Sequence, residues 1–269
     1  MPLNAERRIG AVSWTPEDRI ALRRAKSLLE HPGLAVRIAN TLGAPIESIV
    51  AALPEGAAAA IRTATTKSLQ AALKAATSMM DEDTQPASER LHAVAVAASG
   101  AVGGAFGLSS FAAELPFSTS VMLRSIADIA RSEGHSIKTP EVQLRCLEVF
   151  ALGGSSHRDD AVESAYFAVR AALARAVGEA AEHLAARGIA SGSAPAMVRF
   201  ISQIAARFGI PVTEKVMAQS VPIVGAAGGA IINVLFINHF QEMARGHFIV
   251  LRLEAKYGAD LVRLAYSQI

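Results

Sequence analysis

Two long stretches without a single charge constrain this chain more than any other feature. Residues 93–113 lie between His92 and Glu114, and residues 216–238 between Lys215 and His239. A bilayer crossing needs about 20 apolar residues, so both are long enough. Their composition argues otherwise. The first is largely Ala, Gly and Ser, and the second contains four Ala and three Gly and is interrupted by Pro222 and Asn233, whereas insertion is driven by Leu, Ile, Phe and Val. The expectation is two buried central helices of a bundle, with true insertion as the alternative. Glycine inside a helix costs roughly 1 kcal/mol relative to Ala. Gly100 and Gly104, Gly103 and Gly107, and Gly225 and Gly229 are each four apart, the spacing that lets helix backbones approach closely. A phosphate cradle is excluded, because it needs Gly between a strand and a helix with Lys nearby. Gly100–Ala105 matches Gly225–Ala230 at five of six positions, which raises an internal duplication as a hypothesis.

Composition narrows the class. The 269 residues are 51% hydrophobic but only 5% aromatic and 19% charged, with net charge +2. Such a chain is not disordered, and so small a net charge leaves no electrostatic footprint for nucleic acid. The single Cys146 excludes a disulfide framework and a thiolate-rich metal site. The N-terminal residues contain no apolar run with a cleavage site, so the expected localisation is cytoplasmic, peripheral to the inner membrane if membrane-associated. The mean hydropathy of +0.31 is high for a chain without clear spans. Part of its apolar area should therefore meet something other than its own core. The low net charge argues for apolar contact that persists at high salt, since docking on anionic lipid takes a basic cluster.

No run alternates with period two between turn signals, so no strand is expected. Helix starts recur instead. Thr15-Pro16-Glu17-Asp18 and Thr139-Pro140-Glu141 each place Thr at the N-cap, Pro first and acid in the first turn. The helices expected are Pro16 to about His31, Leu34–Leu42 ended by Gly43, Pro45–Leu53, an Ala-rich one after Pro54, and Ser88 to Gly107. Further along come one from Pro116 to Gly134, Thr139 to Gly153, His157 to Arg187, Ala196 to Phe208, and Pro211 onward. The tail is helical to about Lys256 and again over Ala259–Gln268. The fold class is all-α, a compact multi-helix bundle with two Gly/Ala-rich central helices. Residues 1–269 read as a single domain, with room for an N-terminal helical subdomain over 1–80 and a linker at 81–86.

Polar groups on these helices are the candidate functional residues. Ser120, Arg124, Asp128 and Arg131 form one stripe, with Arg124 and Asp128 placed to pair at i, i+4. Glu114 borders the first uncharged run. Asn233 lies within the second, and His239 and Glu242 follow it on one helix face. His247 lies eight residues beyond His239, about 80° around an ideal helix, which is poor for joint metal ligation. His-Glu-x-x-His is absent, so no metal and no cofactor is expected. No G-x-S-x-G elbow occurs, and Cys146 reads as an inert buried thiol.

The block AELPFSTSVMLRSIADIARSEGHSIKTPEVQLRCLEVFALGG (113–154) resembles the central signature of the EcsC protein family. So does RFGIPVTEKVMAQSVPIVGAAGGAIINVLFINHFQEMARGHFIVLRLEAKYG (207–258), and LLEHPGLAVRIANTLGAPIE (28–47) is similar to its opening block. The resemblance implies a largely bacterial family, named after a gene beside a transporter operon, with no agreed activity. It places motif positions on Glu114, Arg124, Asp128, Asn233, His239 and His247. Few Lys beside many Arg suggest a GC-rich bacterial genome. Three functions are in contention. The first is a non-enzymatic protein associated with membrane or binding an apolar ligand such as lipid. The second is an enzyme, for example a hydrolase, using Glu114, Asp128 and His239 in one interior pocket. The third is a helical scaffold for a protein partner. The polar cluster itself is expected to bring His239 close to Glu114.

Overall fold

Threonine caps open helices where the sequence places them. In the computed structural model, which describes residues 14–30, 33–43, 57–78, 108–154, 165–187, 194–220 and 225–269, Thr15 accepts the Asp18 N–H at 3.2 Å and starts α1 (Pro16–Leu29). Thr139 accepts the Val142 N–H at 3.4 Å and starts α5 (Pro140–Leu152). Each satisfies a backbone donor that the first helical turn leaves orphaned. Gly43, at φ 63°, ends α2 (Leu34–Leu42) in the left-handed conformation that glycine adopts without a Cβ penalty. The Ala-rich α3 (Ala57–Ser78) follows, then α4 (Leu108–Ser132), α6 (Ala165–Arg187) and α7 (Pro195–Gln219). The last two helices are α8 (Gly225–Tyr257) and α9 (Ala259–Ser267), and Gly258, at φ 89°, turns the chain between them. No strand occurs among the described residues.

Two prolines expected to start helices lie inside them. Pro116 sits within α4 and Pro211 within α7. A proline costs its helix one N–H bond and crowds the carbonyl four residues back. In α4 the residues around it are locked into the core: Leu115, Ser118 and Thr119 are buried, and both hydroxyls bond the Leu115 carbonyl, at 3.1 and 2.7 Å. In α7 the crowded carbonyl is that of Arg207, and Gly154 packs against it. Tertiary packing thus carries each helix through its proline.

α8 is the central element. It packs against α1, α2, α4, α5, α7 and α9, and at 1.5 Å per residue its 33 residues span about 50 Å. The core around it is aromatic despite the low aromatic content. Phe150, Phe208, Phe236 and Phe240 are fully buried, with ring centroids 4.8 Å apart for Phe150–Phe208 and 5.4 Å for Phe208–Phe240. These are tilted and edge-on geometries that suit the ring quadrupoles. Leu34, Ile38, Ile61 and Leu69 of the N-terminal helices belong to the same core cluster.

No described helix is long and apolar enough to cross a membrane. The uncharged run 216–238 is divided between the end of α7 and the start of α8. Gly228 and Gly229 are buried there. The expected helices over Pro45–Leu53 and Ser88–Gly107, the linker at 81–86 and the start at His157 lie outside the described residues, as does the Gly100–Gly107 half of the duplication.

Candidate functional site

On α7 an apolar stripe runs Ile204, Phe208, Val212, all fully buried. The helical period puts Lys215 on that same face, and Lys215 is indeed fully buried. A buried ammonium must be paired. Its partner is Glu114 of α4, whose Oε1 accepts from Lys215 Nζ at 2.7 Å and from Asn233 Nδ2 of α8 at 2.9 Å. The ammonium also lies 4.9 Å from the centre of the Phe236 ring, within reach of a cation–π attraction. Burial pulls the Lys215 pKa down, and the Glu114 charge opposes that shift. The result is an internally neutralised knot joining three helices.

The six residues proposed from sequence do not form one cluster. Glu114 and Asp128 are fourteen residues apart on α4, as are Asn233 and His247 on α8, which is about 21 Å along each axis. Glu114 and Asn233 do meet. Asp128 accepts from Arg131 at 3.3 Å, half-buried at the surface, and Arg124 is exposed. His239 is buried and bonds elsewhere: its Nε2 donates to the Gly153 carbonyl at 2.9 Å. Glu114, Asp128 and His239 thus do not share an interior pocket, and His239 hydrogen-bonds the end of α5 rather than the Glu114 knot.

That bond belongs to a second assembly. Arg207 donates from Nε to the Ala151 carbonyl at 3.2 Å and from Nη2 to the Gly154 carbonyl at 2.9 Å. With His239, it satisfies three carbonyls at the C-terminal end of α5, where the helix dipole favours positive charge.

His247 anchors a third. It is fully buried, with Nδ1 2.9 Å from the Tyr166 hydroxyl and Nε2 3.8 Å from Glu148 Oε2. Burial, then the nearby Arg170 and Arg145, hold the His247 pKa well below its ordinary value, so the ring is neutral. Burial pushes the Glu148 carboxyl up, against the pull of Arg145, which bonds it at 2.8 Å. Arg170 completes the layer with two 2.8 Å bonds to Glu254. Cys146 is buried and its thiol pKa is raised by desolvation, so it carries no thiolate. Among the described residues no group of three His, Cys, Asp or Glu is placed to hold a metal.

Two cavities are lined by none of the six. One, about 480 Å³, is an apolar groove between α3 and α7, walled by Ile61, Ala205, Gly209, Ile210 and Met217. Its polar members are Arg62, Thr213 and Glu214. Glu214 accepts the Ala35 N–H, at the uncapped start of α2, and burial raises its pKa to about 7 against that bond. The other, about 210 Å³, lies between α1 and the last residues, with Trp14, Arg19, Arg23 and Ile269 around it. Sequence reasoning missed Lys215, Arg207 and Glu148. The first had a legible signal, a charge in the middle of an apolar stripe; the other two depend on contacts between distant helices.

No curated protein and no solved structure matches this chain. The model of the EcsC protein family matches residues 19–253 of the 269. That match starts at Arg19 in α1 and ends at Leu253 in α8, so it takes in the Glu114–Lys215–Asn233 knot, the α5 cap and His247 with Tyr166, Glu148 and Arg170, and the chain belongs to the EcsC protein family.

Proposed function

We propose that this is a non-enzymatic lipid-binding protein that works at a membrane surface and holds an apolar chain in the groove between α3 and α7. The groove is the observation that carries this reading. Its volume of about 480 Å³ falls in the range of ligand sites, which are concave, mostly apolar and edged by a few polar groups. Arg62 makes no ion pair among the described residues, which leaves a cation free at the groove for an anionic end of a ligand. The surplus of hydrophobic residues, 51% against 19% charged, points the same way. The interior groups Glu114, Glu148, His239 and His247 support no rival of equal weight, because each is tied to a structural partner and they sit in separate places along α4, α5 and α8.

Native mass spectrometry of the purified protein tests the reading. A co-purifying adduct of lipid mass that is lost on delipidation supports it. A clean apo mass, with no uptake of added fatty acid, would favour a protein partner.

A further inference from the structure

α1 presents a face to solvent that its fold does not need. Its inward side, Asp18, Leu22 and Ala25, is buried against α8. Opposite lie Arg19, Ile20, Arg23 and Arg24, all exposed, and Ile20, at 63%, is the most exposed of the large hydrophobic residues described. At 100° per residue Ile20 projects between Arg23 and Arg24. None of the three arginines has a side-chain hydrogen bond or ion pair among the described residues. Of the nearby acids, Glu17 lies one turn before Ile20 in the first turn of the helix, and Glu30 lies at its C-terminal end, so the three arginines outnumber the one acid that shares their face. Arg19 and Arg23, one turn apart, also line the 210 Å³ cavity whose floor includes Trp14 and Leu22.

We infer that this face of α1 docks on an anionic bilayer, with a lipid phosphate held between Arg19 and Arg23 and Ile20 entering the acyl boundary. Unpaired guanidiniums beside a cavity suit a phosphate, which they grip with two parallel bonds. An aliphatic side chain framed by arginines is the arrangement of helices that lie in the membrane interface. The net charge of +2 conceals this local excess. The inference rests on the membrane half of the reading above and is independent of the groove.

Vesicle flotation of the full chain tests it, using phosphatidylcholine with and without phosphatidylglycerol. The wild type floats with the anionic vesicles, not with the neutral ones, and added salt weakens the binding as screening requires. Each basic residue near such a surface contributes about 1 kcal/mol, so Arg23→Glu with Arg24→Glu lowers binding roughly tenfold or more. Ile20→Gln lowers it on the same vesicles. Thermal melts of these surface variants match the wild type. Equal flotation on both vesicle types, no flotation at all, or charge-reversed protein that floats like wild type overturns the inference. A flotation failure with lipid still bound in native mass spectrometry would remove this docking face and leave the groove standing. Flotation without bound lipid would do the reverse.

Discussion

Gly154 and Arg207 hold each other from both sides. The Arg207 carbonyl, deprived of its helical donor by Pro211, occupies the place a Cβ on residue 154 would take, while the Arg207 guanidinium returns to the Gly154 carbonyl at 2.9 Å. Gly154→Ala must push α5 and α7 apart, and overpacking of this kind costs about 1–3 kcal/mol. Gly178→Ala is the control. It lies exposed within α6 with nothing near its Cβ position, and should stabilise by about 0.5–1 kcal/mol. Urea unfolding of both variants checks the pair; a Gly154→Ala protein as stable as wild type would show that the contact can relax.

Lys215 and Glu114 give the second prediction. Removing one partner leaves the other charge buried and alone, so Glu114→Ala should cost about 3–5 kcal/mol. Replacing both by Met or Leu should recover much of that loss, since an apolar pair avoids the desolvation of two ions, less the cost of the Asn233 amide left without its Glu114 acceptor. Denaturant melts of the single and double variants separate the terms. A double variant no better than Glu114→Ala would mean that the knot contributes beyond charge compensation.

Asp18 and Glu214 titrate with opposite effects on stability. Burial works against the charge of Asp18, but hydrogen bonds from Lys256, Tyr257 and Thr15 prevail and bring its pKa from 3.8 to about 2. Its contribution is therefore present above pH 3.8 and lost as pH falls through about 2. Glu214 shifts the other way, from 4.5 to about 7. Folding then favours the protonated acid, and stability falls as pH rises from 4.5 through 7. Glu214→Gln keeps an acceptor for the Ala35 N–H and should remove that decline. Melting temperatures from pH 2 to 8 test both: Asp18→Asn should converge on wild type as pH falls from 3.8 toward 2, and Glu214→Gln should gain on wild type above pH 7.

Local chemistry was readable where a single turn decides it. The Thr15 and Thr139 caps, the stop at Gly43 and the break between Lys256 and Ala259 rest on side chains or backbone angles within a few residues. Pro116 and Pro211 were not, because a proline inside a helix is set by whether neighbouring helices restore what it costs. The same limit governed the site. The wheel positions of Glu114 and Asn233 were visible, but their meeting needed the crossing of α4 and α8. Joining Glu114 to Asp128 and His239 ignored the rise of the helix, which spaces side chains along its length as surely as it turns them onto one face.

The groove between α3 and α7 bears the central claim, and Gly209 offers direct access to it. Gly209 lines the groove, and nothing lies within 4 Å of its Cβ position. Gly209→Leu should therefore fold, gain helix propensity and fill the space an acyl chain would use. Titrating a fluorescent fatty acid into delipidated wild type and Gly209→Leu measures this most directly. The account predicts saturable binding by wild type and at least about tenfold weaker binding by the variant, since each CH₂ kept out of the groove forfeits about 0.8 kcal/mol. Equal binding by both proteins, or none by wild type, would contradict it.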